Sequence, residues 1–228
     1  MSRLETLSQP PALAKMAYAA LRDSILAGRL ASGEVYTEAA LAKELGISKT
    51  PVREALLELA AQGLVTVLPR RGVMVTRFTE RDVEEVFEVR RAVEAVLVEK
   101  VARSAGELDL APLEQALEAQ EDALRDGDML AFLDADRAFH TGMGELAGNR
   151  RLRAILENAR DMIHLMGMEA LTRRGRPSEV LEEHRKVVDA LRNGRPSQAR
   201  QAMDRHLERS QESVLSTYRG DTEPEPAQ

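Results

Sequence analysis

The stretch that most constrains this chain is TEAALAKELGISKTPVREAL, residues 37–56. It reads as two short helices around a tight joint. Thr37 is placed to cap the first, and Leu41 and Leu45 give its inner face. Gly46 ends it, because glycine takes the left-handed conformation of a helix terminus at little steric cost. Ile47 fills the corner and Ser48 stands where a cap for the second helix belongs. Pro51 falls in the first turn, where a missing N–H removes a donor that had no partner anyway. Val52, Leu56 and Leu59 recur at helical spacing and point inward, while Lys49, Thr50 and Arg53 point elsewhere, near the N-terminal end. A helix-turn-helix with hydrogen-bonding and cationic side chains at this tip suits the reading of base edges in a major groove. The competing reading is a helical hairpin with a solvated face.

The next segment favours the first. LVTVLPRRGVMVT (64–76) is rich in β-branched residues and is interrupted by Pro69 and Gly72. It predicts a two-stranded hairpin with Arg70 and Arg71 at its tip. A helix-turn-helix followed by a basic hairpin is a winged helix, whose wing can lie on phosphates or enter the minor groove.

These residues resemble the DNA-binding domain of GntR-family bacterial transcription regulators. The likeness runs from Ala20 through Val75 and is carried by SKTPVREAL and the later RRG. It implies that Ser48, Lys49, Thr50 and Arg53 contact DNA from the recognition helix, and Arg71 with Gly72 from the wing. The chain departs from the family pattern in three places. Lys49 stands where an arginine is usual, Ser32 where a proline is, and Ala39 where some members carry an arginine that touches DNA.

Charge is distributed as such a reading requires. The net charge is −6, yet residues 1–78 hold ten basic and seven acidic residues, a net of +3, against 22 and 31 afterwards, a net of −9. The basic surplus sits with the motif, as a phosphate-binding region should. No cysteine is present, which excludes disulfides and thiolate chemistry. Neither a signal peptide nor a long apolar span is indicated, so a cytoplasmic protein with no membrane partner is expected.

Composition and punctuation predict a mainly α protein: an N-terminal winged helix-turn-helix, then an all-α antiparallel bundle. The expected organisation is a flexible arm over 1–12, the winged domain over 13–78, a helical effector-binding domain over 79–219 and a disordered tail over 220–228. Bundle helices are expected near 80–104, 110–126, 128–147, 150–170, 178–193 and 196–217, separated at Gly106, Gly127, Gly148, Gly175 and Gly194.

The polar residues on the stripes these helices must bury are informative. Asp136 and His140 lie one turn apart among Phe132, Leu133, Phe139 and Met143. His184 lies among Val180, Leu181, Val187 and Val188, and His206 beside Met203 and Leu207. His164 falls off its own stripe of Leu152, Ile155, Leu156, Ala159, Met162, Ile163 and Met166, and is expected on the surface. Burying three unpaired imidazoles costs roughly 1–3 kcal/mol each, which a core would not accept without compensation. A shared ion resolves them together. Three imidazoles and one carboxylate suit a divalent transition metal such as Zn, Ni, Mn or Fe better than calcium, and a hydrated polar cluster is the alternative.

This second region is similar to the FadR-like effector domain, called FCD, of the same regulator family. DADRAFH (134–140), EEHRKVVDAL (182–191) and MDRHLE (203–208) match its metal-binding members. The resemblance implies Asp136, His140, His184 and His206 as ligands. Arg90 and Glu94 share a buried stripe near the start of the region. They could pair with each other, or Arg90 could grip the carboxylate of a small acid, which the resemblance favours.

Together these readings predict a ligand-responsive DNA-binding transcription regulator, in the sense of a repressor. A metal ion and a small organic acid in the helical domain would alter the fit of a homodimer to double-stranded operator DNA. The alternative is a metal-dependent hydrolase or isomerase using the same centre. It lacks a spare base or nucleophile other than Glu94 and is not favoured, so no catalytic residue is expected.

Overall fold

The computed structural model describes residues 12–167 and 176–220. The chain divides into two compact units, residues 1–77 and 78–228. Residues 1–11 of the expected arm over 1–12 and 221–228 of the expected tail over 220–228 lie outside the described residues; Ala12 begins the first helix and Gly220 ends the last.

In the first unit α1 (Ala12–Leu26) packs on α3 (Lys49–Ala61) through Ala17, Leu21 and Ile25, all buried. Thr37 caps α2 (Glu38–Leu45) by accepting from the Ala40 amide, and Gly46 closes it in the left-handed conformation, φ 67°. Val52, Ala55, Leu56 and Leu59 form the buried face of α3. Ser48 holds the N-cap position with extended backbone, but its hydroxyl makes no capping bond. The reason lies three residues on. Pro51 occupies a position whose N–H a serine cap would normally engage, and proline has none.

The wing differs from the expected two-stranded hairpin. β2 (Val65–Leu68) and β3 (Gly72–Val75) pair antiparallel, and β1 (Val35–Tyr36) adds to the free edge of β3. Two residues give too short a pattern to read as a strand, and the pairing is long-range. It also explains Gly72: at φ 123° a side chain there would place its Cβ 2.1 Å from the Tyr36 carbonyl oxygen.

The second unit is the expected bundle. It comprises α4 (Glu80–Arg103), α5 (Ala111–Asp126), α6 (Met129–Leu146), α7 (Arg150–Gly167), α8 (Arg176–Arg192) and α9 (Pro196–Gly220). Thr79 and Asp82 start α4 with a reciprocal capping box. α4 packs on α9, α7 and α6, and α8 on α9 and α5. Their apolar faces build one core that includes Phe87, Leu97, Phe139, Met143, Val187, Leu191, Met203 and Leu207.

One rotational phase departs from the sequence reading. On α7, Ile155 is 47% exposed, whereas Arg160, Asp161 and His164 are buried at 3–5%. α7 is flanked by both α4 and α6, so the arc it buries is wider than a single apolar stripe. His164 is a core residue, and the expectation of a surface position is corrected.

Candidate functional site

The first unit presents an exposed cationic tip. Ser48, Lys49, Thr50 and Arg53 are all exposed at the start of α3, and Arg71 is exposed in the turn of the wing, where Arg70 adopts φ 63°. A cleft of about 330 Å³ lies between Arg53 and the wing, lined by Glu38, Arg53, Pro69, Arg70, Arg71 and Gly72 among others; Ser48, Lys49 and Thr50 are outside it. Arg53 is not loose in this cleft. Its Nε and Nη2 donate to the two carboxylate oxygens of Glu38 at 3.0 and 2.8 Å. The pair holds the Glu38 carboxyl below the usual carboxylate range, chiefly through the hydrogen bond. Sequence reading gave Arg53 no such partner.

In the second unit three helices, α6, α8 and α9, converge on one polar centre. The ring nitrogens of His140, His184 and His206 lie within 4.8 Å of one another, and all three residues are at most 2% exposed. His184 Nε2 and His206 Nε2 stand 3.3 Å apart. Asp136 Oδ1 lies 3.7 Å from His184 Nε2 and 3.9 Å from His140 Nε2. α6 supplies Asp136 and His140 from successive turns, while α8 and α9 each supply one histidine.

The surroundings fix which nitrogen carries the proton. His140 Nδ1 donates to Glu94 Oε2, and His206 Nδ1 to Glu183 Oε2 at 2.9 Å. Gln120 donates its Nε2 to Asp136 Oδ1 at 3.4 Å. That orients its amide so that Oε1 accepts from His184 Nδ1 at 3.0 Å. Each Nδ1–H is therefore engaged outward; the Nε2 lone pairs of His184 and His206 face the centre, whereas that of His140 is met by Arg90 Nη2 at 3.2 Å. Burial keeps the rings neutral. It drives His184 well below its ordinary value, with His206 and His140 adding to the effect, and lowers His206 to about 3 despite its Glu183 partner.

Three guanidiniums surround the centre. Arg90, 1% exposed, donates from Nε to Glu94 at 2.8 Å, and its Nη2 lies 3.2 Å from His140 Nε2. Arg160 donates from Nη2 to Asp136 Oδ2. Arg176 spans Glu183 at 2.9 and 3.0 Å and reaches Ser210 at 3.0 Å. Burial opposes the charge on Glu94, but Arg90 and His140 beside it more than offset that and hold its carboxyl low. A cavity of about 50 Å³ adjoins the centre, with Arg90, Asp136, Arg160, Arg176 and His206 in its wall.

The structure brings Asp136, His140, His184 and His206 together and places Arg53, Arg71 and Gly72 around one cleft; four neighbours, Glu183, Gln120, Arg160 and Arg176, were missed in the sequence. Glu183 is adjacent to His184 and off its apolar stripe, Gln120 is a neutral polar residue among Leu113, Ala116 and Ala123 on α5, and Arg160 and Arg176 read as solvated charges. One signal was present: Arg160 stands one turn before His164, and both flank Ile163.

Comparison with known proteins places these units. Residues 13–75 match the gntR family of bacterial regulatory proteins, and residues 85–209 match the FCD domain. The chain belongs to the GntR family. It is 31% identical to the HTH-type transcriptional regulator YdhC of Bacillus subtilis, over 83% of this chain and 85% of that one. It is 33% identical to the probable D-xylose utilization operon transcriptional repressor of Paenarthrobacter nicotinovorans, over 80% of each. A solved GntR regulator from Rhodococcus sp. RHA1 superimposes with a TM-score of 0.80 at 25% identity, covering 91% of this chain and 99% of that one. GntR proteins are transcription regulators rather than enzymes, which removes the hydrolase or isomerase alternative. Among the described residues no helix is long and apolar enough to cross a membrane.

Proposed function

We propose that this GntR regulator is a metal-dependent, acid-responsive repressor that binds operator DNA as a homodimer in the bacterial cytoplasm. Ser48, Lys49, Thr50 and Arg53 read the major groove, and Arg71 and Gly72 carry the wing contact. Asp136, His140, His184 and His206 hold a divalent transition metal, with Zn, Ni and Mn as the first candidates. A small organic acid enters the adjoining cavity, where Arg90 forms part of a cationic wall.

One observation carries the metal reading. The Nε2 atoms of His184 and His206 face each other at 3.3 Å with lone pairs on both, while their Nδ1 protons are committed outward. Two acceptors at that separation repel unless a cation lies between them, and burial disfavours a proton in that role. The donor set of three nitrogens and a carboxylate fits a borderline metal. Such a metal supplies Lewis acidity that attracts an anionic ligand into the core. The protein supplies the fixed tautomers, the cavity and the cationic wall. Repression is supported by the repressor role assigned to the D-xylose operon relative.

Elemental analysis by plasma mass spectrometry tests this directly. The purified protein is expected to hold about one transition metal per chain, and a His140→Ala/His206→Ala variant to hold none. If neither sample takes up Zn, Ni or Mn on loading, the four residues form only a hydrogen-bonded pocket floor.

A further inference from the structure

α8 and α9 form a helical hairpin whose facing residues Val187, Leu191, Ala199, Met203 and Leu207 belong to the bundle core. On the side away from that core the two helices do not close over each other. A groove of about 560 Å³ runs between them. Its floor is the reason. Ala190 on α8 and Ala202 on α9 are flanked one turn away by Lys186, Asn193, Gln198 and Arg205, so the long ridges have little between them. A space of this size suits a small organic ligand.

The groove is cationic in a domain that is not. Residues 79–228 carry a net charge of −9, yet Lys186, Arg195, Arg205 and Arg209 line it against Glu183 and Asp189 alone. Both carboxylates are already engaged, Glu183 by Arg176, Arg209 and His206, and Asp189 by Arg192. Lys186 and Arg205 have no hydrogen-bond or ion-pair partner among the described residues. Elsewhere on this domain exposed arginines find carboxylates, as Arg103, Arg185, Arg192 and Arg200 do. Glu183 and Arg209 are joined across the groove at 2.6 Å, and Lys186 and Arg205 stand one turn further toward the joint on either side. An ammonium and a guanidinium thus face each other over the groove. Like charges so placed repel unless an anion lies between them.

The end nearer the joint is mostly neutral. Asn193, Gln198 and Gln201 bring carboxamides there, and Arg195 is held by Gln198 at 3.3 Å. Carboxamides both donate and accept, as hydroxyl groups do, so the two pair readily. No aromatic side chain lines the groove, which leaves a nucleobase nothing to stack on. A phosphate accepts donors from several directions, whereas a carboxylate is best met by one planar fork. We propose that this groove binds a phosphorylated sugar or polyol. Its phosphate lies between Lys186 and Arg205, and its hydroxyls meet the carboxamides. The site is separate from the histidine centre and needs no metal.

The test titrates full-length protein calorimetrically with glucose 6-phosphate, inorganic phosphate and glucose, in about 150 mM sodium chloride so that unspecific charge attraction is screened. Glucose 6-phosphate is expected to bind about tenfold more tightly than inorganic phosphate, since only it reaches the carboxamides, and glucose not to bind measurably. In a Lys186→Gln/Arg205→Gln variant its affinity is expected to fall about tenfold or more. Melting temperature should not move, because both side chains are exposed and unpaired. Unchanged affinity in that variant puts the ligand elsewhere and overturns the proposal. Glucose 6-phosphate that binds no better than inorganic phosphate, or not at all, overturns it too, because the groove is then a patch of charge only. None of these readings depends on metal content, so each leaves the metal reading of the histidine centre untouched.

Discussion

Two arginine–glutamate pairs of this molecule stand in opposite surroundings. At the tip of α3, Arg53 and Glu38 are joined by three hydrogen bonds with the arginine side chain 64% exposed. On α4, Arg90 and Glu94 are joined at 2.8 Å with side chains 1% and 0% exposed. Water screens the first pair, so it adds little to stability and orients a guanidinium that remains able to exchange its partner for DNA. The second has no water to fall back on, and each member is fixed because releasing the other would strand it. In this protein the environment of an arginine, more than its identity, separates a reading head from a pocket wall.

The contrast is broken most directly from the buried side. Glu94→Leu leaves Arg90 without its carboxylate and His140 Nδ1–H without an acceptor. It is expected to lower stability by about 3–5 kcal/mol, seen as a drop of roughly 10 °C in thermal unfolding. Arg90→Met/Glu94→Leu, which removes both charges, is expected to recover most of that loss. If the single variant melts like wild type, burial is not what distinguishes the two pairs. A smaller effect is expected for Gln120→Leu, which removes the acceptor that fixes the His184 tautomer. Zinc affinity should fall by about 10- to 100-fold, measured by competition with a chromophoric chelator. Undiminished affinity would mean that the tautomer is set elsewhere. From the exposed side, Arg53→Ala is expected to weaken binding by roughly tenfold or more to a duplex that the wild-type protein selects from a random pool. Melting temperature and metal content should not move. Unchanged DNA binding would remove Arg53 from the reading head.

How far these regions were legible in the sequence follows the same division. Helix positions were readable because Gly46, Gly127 and Gly194 end helices in the left-handed conformation and Thr37 and Thr79 start them. Asp136 and His140 stood out because polar residues one turn apart interrupt an otherwise apolar stripe. What could not be read was anything set by packing between distant segments. Glu38 and Arg53 are 15 residues apart, and their pairing depends on the crossing of α2 and α3. The width of the buried arc of α7 was misread because a helix held by two neighbours buries more than its apolar stripe, so His164 turned inward against expectation and Arg160 is buried beside it. β1 was missed because two residues carry no alternation, and only its pairing with β3 defines it.

The smallest expected effect is also the sharpest probe of the comparison. Glu38→Gln keeps the shape of the Arg53 partner but removes its charge. Thermal unfolding should match wild type, since an exposed ion pair contributes little. DNA binding should change in a particular way. Removing a negative charge beside the phosphates should tighten binding to unselected duplex severalfold, because that term is electrostatic and independent of sequence. A guanidinium held less firmly should read its base less strictly, so the ratio of selected to unselected affinity should fall. Both affinities must be measured at one salt concentration, because the electrostatic term varies steeply with it. A loss of stability comparable to that of Glu94→Leu would show that the exposed pair is structural after all. An unchanged ratio would show that Glu38 tempers charge at the tip without orienting Arg53.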